Sequence, residues 1–204
     1  MLKYINYIIK IILNYKAYSL NIIFYEIFFL LFYDKKYNII NLSKIKSATD
    51  PVPTSFYVLK LIESFINKNQ IYNICDLGSG RGKILYYLGV IKKMNIDGIE
   101  IDNELYSQSL VLKNQNIEIK HANILDYDYL KKKYDLLIVN DPFQNKEDLQ
   151  ILLHKLETLK YENFIIFINI DIEKVKIIKN YTKILKFKKF SKSRNVYFTK
   201  IQLN

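Results

Sequence analysis

Asp76-Leu77-Gly78-Ser79-Gly80-Arg81-Gly82-Lys83 follows directly on the apolar stretch Ile71 to Cys75, and its reading decides the fold. The chain has 204 residues and five glycines, and all five fall between Gly78 and Gly98. Glycine this scarce is concentrated where backbone must take positive φ or approach something closely. A strand that ends in an acid and a glycine-rich turn, then passes into a helix, has the form of a nucleotide-cofactor loop. The spacing here is G-x-G-x-G. A dinucleotide loop has G-x-G-x-x-G, so the third glycine comes one position too soon. A phosphate loop of the Walker kind needs four residues between its glycines and then Gly-Lys-Ser/Thr, which is absent.

Outward from this loop, apolar runs and helical patterns alternate. Strands are expected over Ile71–Asp76, Ile96–Ile101, Ile117–Lys120, Tyr134–Asn140 and Phe164–Ile170. Helices are expected over Lys83–Lys93, Asn103–Asn114 and Lys146–Lys160, the last with Leu149, Leu152, Leu153 and Leu156 at helical spacing. Near-continuous apolar strands are covered on both faces, as in parallel sheets. The alternation predicts an α/β, doubly wound, mostly parallel sheet. Ile184–Phe190 and Val196–Ile201 flank a polar turn and read as an antiparallel hairpin at one edge. Seven strands result. Before the loop, residues 1–48 read as a helical N-terminal extension without glycine or proline. Asp50-Pro51-Val52-Pro53-Thr54 is an extended connector. Thr54 or Ser55 caps a helix from Phe56 to about Asn67.

Half of the residues are apolar, enough for a full core. Cys75 is the only cysteine, so no internal disulfide forms, and a cytoplasmic setting is expected. Its place in an apolar strand makes it structural. The formal charge of +11 is uneven: residues 1–46 hold +5, residues 47–170 hold −2 and residues 171–204 hold +8. Basic flanks suit an anionic partner, nucleic acid or lipid. The bland alternative is a solvated face in a lysine-rich chain, since only Arg81 and Arg194 supply guanidinium forks. Leu20 to Tyr33 is apolar but broken by Asn21 and Glu26, which argues against a membrane span. No signal peptide is expected. A core-packed N-terminal helix is the favoured reading; a surface-lying one, with Lys3, Lys10 and Lys16 on anionic lipid, is the alternative. His121 and His154 have no ligand spacing, and no metal site is expected.

The chain resembles the class I S-adenosylmethionine-dependent methyltransferases over residues 50–204. Their first motif, acidic-x-G-x-G-x-G, matches Asp76, Gly78, Gly80 and Gly82, with Ser79 between. Their second site is an acid ending strand two, matched by Glu100 with Ile101 after it. The resemblance implies that this carboxylate accepts the ribose hydroxyls. Their third site, which holds adenine, falls on His121-Ala122-Asn123-Ile124, with Asn123 and Ile124 as its residues. Their fourth motif falls on Asn140-Asp141-Pro142-Phe143. The resemblance implies S-adenosyl-L-methionine as cofactor.

Amino-methylating members carry Asn/Asp-Pro-Pro-Tyr/Phe at the fourth motif. There an acceptor side chain and a backbone carbonyl hold the amine and the aromatic ring stacks on a planar base. Here Asp141 stands where the first proline would. One alignment makes Asn140 the acceptor; another makes it Asp141, followed by Pro142 and Phe143; a plain strand-end turn with a buried Phe143 is the third possibility. A weaker likeness to protein lysine methyltransferases, carried by Pro51-Val52-Pro53-Thr54-Ser55, implies that Thr54 and Tyr57 approach the methionine end of the cofactor. Methyl transfer needs alignment and exclusion of water rather than a catalytic triad or metal. The expectations are N-methylation of a protein lysine, base methylation of RNA or single-stranded DNA, or a cofactor-binding module without turnover.

Overall fold

The computed structural model describes residues 5, 6, 9, 24–29, 31, 32, 54–160, 163–191 and 194–202. The connector residues Pro51, Val52 and Pro53, and most of the expected extension 1–48, lie outside these. The described residues between 5 and 32 are helical.

The seven strands are β1 (Ile74–Leu77), β2 (Ile96–Glu100), β3 (Ile117–His121), β4 (Leu136–Val139), β5 (Phe164–Ile168), β6 (Thr182–Ser191) and β7 (Arg194–Ile201). They form one sheet in the order β3-β2-β1-β4-β5-β7-β6. β1 pairs in parallel with β2 and β4, β2 with β3, and β4 with β5. β7 runs antiparallel to both β5 and β6, so it alone reverses direction. The winding turns back between β1 and β4. At such a switch point the loops leaving the strand ends diverge and open a crevice. The loops that leave β1 and β4 begin at Gly78 and Asn140, the first and fourth motifs.

The helices are α1 (Phe56–Lys68), α2 (Lys83–Leu85, continued as a π-helical stretch Tyr86–Ile91), α3 (Asn103–Ser109, ending in a 3-10 turn Leu110–Leu112), α4 (Lys146–Thr158) and α5 (Ile172–Tyr181). Ser55 caps α1, its Oγ accepting from the Val58 amide at 3.2 Å. The inward stripe Phe56, Leu59, Ile62 and Ile66 joins Ile74, Leu136, Ile138 and Phe198 in one apolar layer. On the other face α4 buries Leu149, Leu152, Leu153 and Leu156 against Leu137, Val139, Ile165 and Phe167. Among the described residues, no helix is long and apolar enough to cross a membrane.

Two sequence expectations change. β1 is shorter than Ile71–Asp76, because the Tyr72 and Asn73 amides turn to the Asp135 carboxylate at 3.1 and 2.9 Å before the ladder begins. Residues 172–181, which carry no expected element, form α5. Its cap is Asp171, whose Oδ1 accepts from the Glu173 and Lys174 amides at 2.9 Å each.

Candidate functional site

The glycine loop leaves β1 with Gly78, Gly80 and Gly82 all at positive φ, 74°, 55° and 82°. These are left-handed conformations that a Cβ disfavours. At Gly78 a Cβ would also lie 2.7 Å from Pro142 Cβ. The first and fourth motifs are therefore packed directly against each other, an approach only glycine permits. Gly98 serves packing too: a Cβ there would sit 2.7 Å from Leu85 and 2.8 Å from the Ser79 hydroxyl oxygen.

Asp76 is buried, and among the described residues neither carboxylate oxygen has a hydrogen-bond partner. The Ser79 hydroxyl is likewise buried without one. Burial, reinforced by the negative charge of Glu100, raises the Asp76 carboxyl to about 8. A buried unpaired acid costs several kcal/mol of desolvation unless something compensates it. A ligand ammonium would do so. An aminoacyl sulfonium nucleoside carries one at its amino-acid end, so the loop fits the cofactor that the first motif implies.

Glu100 is also buried. Its Oε2 accepts from the Gly80 amide at 2.7 Å and its Oε1 from the Asp102 amide at 2.8 Å. The carboxylate fastens the glycine loop to the end of β2, and each oxygen keeps a second lone pair for a hydroxyl. Ile101, next along, is 62% exposed and offers an apolar surface at this edge. Asp102 is a helix cap, accepting from the Leu105 amide at 2.8 Å. Beyond β3, Asn123 serves its own turn: Oδ1 accepts from the Leu125 amide at 3.0 Å and Nδ2 donates to Asp126 at 3.0 Å. The loop is clamped by Lys155 of α4, which donates to the Leu125 and Tyr127 carbonyls at 2.8 and 2.9 Å. Half-buried Ile124 lies within it, and its carbonyl accepts from the Tyr129 hydroxyl at 2.8 Å.

At the fourth motif the side chains separate. Asn140 is held from both ends: Oδ1 accepts from Asn169 at 2.8 Å and Nδ2 donates to Thr54 Oγ1 at 3.1 Å. Asp141 takes a left-handed φ of 35°. Its Oδ1 accepts from the ammonium of Lys174 at 2.7 Å, and that ammonium also donates to the Phe143 carbonyl at 2.8 Å. Burial raises the Asp141 carboxyl, and Lys174 opposes the rise. Lys174 is 8% exposed at its side chain and Asp141 20%, so the pair is anchored inside with the carboxylate at its outer end. Phe143 is buried in the α4 layer, the placement of the third alternative rather than that of a ring offered to a planar base. The Tyr57 hydroxyl accepts from Lys188 of β6 at 2.5 Å, and its ring packs on Phe190. Thr54 reaches the fourth motif.

Lys174 and Asn169 are site residues with no sequence signal. One stands in a helix where no element is expected, the other follows an apolar strand at a φ of 59°. Cys75, as expected, is buried, and its thiol is raised by burial and by the Asp97 and Asp76 charges. Behind it Asp97 gathers Lys132 at 2.7 Å, Lys120 at 3.2 Å and the Tyr134 hydroxyl at 2.6 Å, a satisfied polar cluster beneath the crevice.

The architecture is that of the class I S-adenosylmethionine-dependent methyltransferases. No family model matches the chain. Two curated relatives are similar over a part of it. The release factor glutamine methyltransferase of Fusobacterium nucleatum is 27% identical over 99 residues, covering 45% of this chain and 27% of the relative. The carboxy-S-adenosyl-L-methionine synthase of Staphylococcus epidermidis is 29% identical over 94 residues, covering 45% of this chain and 41% of the relative. The chain thus matches less than half the length of either. Among solved structures, the methyltransferase domain of bacterial CtHen1 superposes with a TM-score of 0.58 at 13% identity, covering 71% of this chain and 97% of that one. The N-methyltransferase NodS of Bradyrhizobium japonicum gives 0.56 at 10% identity, covering 70% and 84%. The RNA methyltransferase of Salinibacter ruber gives 0.56 at 16%, covering 74% and 94%. At these identities the likeness is one of fold.

Proposed function

We propose that the chain is an S-adenosylmethionine-dependent methyltransferase that acts on a nitrogen, with a protein lysine as the first acceptor. One observation carries the proposal: Pro142 packs on Gly78, which brings the turn bearing Asp141 against the glycine loop, and buried Lys174 fixes the Asp141 carboxylate. Asp76, Gly78, Ser79, Gly80 and Gly82 would hold the amino-acid end of the cofactor and Glu100 its ribose. Ile101, Asn123 and Ile124 would flank the adenine. Bound there, the cofactor supplies a methyl group already activated on sulfonium sulfur.

The protein's own contribution is positional. An incoming lysine ammonium meets Asp141, which orients it and takes its proton; burial makes this carboxyl a better base than an ordinary one. Lys174 fixes that carboxylate and the Phe143 carbonyl together. Asn140 braces the strand end through Asn169 and Thr54, which favours Asp141 as the acceptor of the two alignments. Half-buried Pro142 and buried Phe143 close one side of the mouth to water. A relative named for glutamine methylation and a fold neighbour named as an N-methyltransferase support a nitrogen target.

A nucleic-acid base is the second reading. It is favoured by the acid-free basic hairpin β6–β7 and weakened by the burial of Phe143. The deciding experiment supplies methyl-labelled S-adenosylmethionine and fractionated cell extract, read by mass spectrometry. Label on lysine supports the first reading, and label on a nucleobase the second. Label in no fraction, with cofactor bound, leaves a binding module without turnover.

A further inference from the structure

Residues 182–204 contain six Lys and Arg194 and no Asp or Glu, whereas residues 47–170 carry a net −2. The hairpin β6–β7 holds most of this charge, and β6 is the outer strand of the sheet. On one face Lys183 stands directly opposite Lys200 in the ladder. Like charges facing each other across a strand pair are destabilising unless an anion joins them. On the same face the Lys186 ammonium lies 5.7 Å from the Phe198 ring centre, and that of Lys188 4.6 Å from Tyr57 and 5.6 Å from Phe190. The aromatic floor restrains these flexible side chains before any partner arrives. Across the thickness of the edge strand, Phe187 stacks on Tyr197 with ring centres 4.5 Å apart and planes 25° off parallel. Phe187 remains 47% exposed, and Lys189 beside it is exposed.

This edge leads to the crevice. Lys188 stands opposite Val196, and Val196 opposite Ile168. The next residue, Asn169, donates to Asn140 at 2.8 Å. From Lys183 to Lys189 the strand spans about 20 Å.

We propose that the β6–β7 edge is a docking surface for single-stranded nucleic acid. Its phosphates run along Lys183, Lys186, Lys200 and Lys189, and a base stacks on the Phe187–Tyr197 pair. Cationic tracks interleaved with exposed rings are how unpaired strands are held without sequence readout. A peptide added as an eighth strand suits the edge poorly. The ladder register shifts between Ile184 and Lys186, and lysines line the strand; both features blunt sheet edges against strand addition. The inference goes beyond the acceptor reading: a base and a protein carried on RNA would both arrive by this surface.

Fluorescence anisotropy of a fluorescein-labelled oligouridylate 20-mer with the full chain, from 50 to 200 mM salt, tests it. The readout needs neither cofactor nor turnover, so its failure is separate from failure of the methyl-transfer reading. Wild type is expected to bind with a steep salt slope. K183Q/K186Q/K200Q should bind at least about tenfold more weakly at 50 mM salt, with the slope reduced by about 2 for three lost phosphate contacts at roughly 0.7 each. F187A should bind more weakly with its slope unchanged, as loss of a stacking platform requires. K183R/K186R/K200R should retain binding, which separates lost charge from lost folding. Unchanged affinity and slope in the glutamine triple variant would overturn the proposal. So would polyglutamate displacing the oligonucleotide at equal charge concentration, which would assign the surface to acidic protein.

Discussion

Asp76 is the residue whose protonation ties folding to ligand binding. Its folded carboxyl sits near 8, against about 4 in an unfolded chain. Between those values the native state holds a proton that the unfolded state has released. Stability therefore falls as pH rises through this window and levels off above pH 8, by up to about 1.4 kcal/mol per unit. Urea midpoints recorded from pH 5 to 9 should show this decline in wild type and a flatter profile in Asp76→Asn. A cofactor ammonium reverses the sign locally, because it pairs with the ionised form. Affinity for S-adenosylhomocysteine should rise from pH 6.5 to pH 8.5 in calorimetry, and Asp76→Asn should abolish that rise. Lys174 makes a second prediction at the same scale. Lys174→Met leaves a largely buried Asp141 without its cation, at a cost on the order of 2–3 kcal/mol after allowance for its partial exposure. Adding Asp141→Asn should recover part of the loss, and a double-mutant cycle in urea measures the difference. Additive losses would mean that the pair contributes nothing as a pair.

At the scale of elements, the glycine loop and the turn after β4 are two halves of one construction. Gly80→Val places a β-branched side chain at a φ of 55° and fills the shelf where a ligand would lie. The expected result is a folded protein with no calorimetric heat of cofactor binding; affinity equal to wild type would remove the loop from the site. This part was legible in the sequence, because a chain with so few glycines spends three of them on left-handed backbone in seven residues around Asp76. The strand ends bearing Glu100 and Asn140 were legible for a related reason: continuous apolar runs stop where the sheet does. α5 was not. Its inward side holds Val175 and Ile178 but also Lys174, and a buried cation looks like an outward residue until its partner, 33 positions earlier, is known. The contact of Tyr57 with Lys188 was hidden similarly, since Lys188 lies 131 residues away. Asn140 reads as a candidate acceptor of the fourth motif, but its amide contact with Asn169 exists only once β4 and β5 are side by side.

For the molecule as a whole, the described N-terminal residues are joined to the cofactor loop through a buried charge. Glu26 is buried; its Oε1 accepts from the Phe56 amide at the start of α1, and its Oε2 lies 3.7 Å from the ammonium of Lys83. Lys83 follows Gly82 directly, and burial lowers its proton affinity while Glu26 holds it up. Phe29 stacks on Phe56 at 4.3 Å, and the Lys83 ammonium lies 4.3 Å over the same Phe56 ring. One carboxylate thus serves the first turn of α1 and the entry of α2 together. Glu26→Ala should cost on the order of 3 kcal/mol, because it removes a carboxylate partner from two buried groups at once. Glu26→Gln keeps an acceptor for the Phe56 amide but withdraws the charge from Lys83, and should cost less. Thermal midpoints rank the three proteins, and calorimetry with S-adenosylhomocysteine adds the discriminating arm. If the segment only stabilises the fold, affinity at 10 °C is unchanged in both variants. If it positions the loop through Lys83, affinity falls in both, and the charge-neutral Gln variant shows nearly the full loss despite its smaller effect on folding.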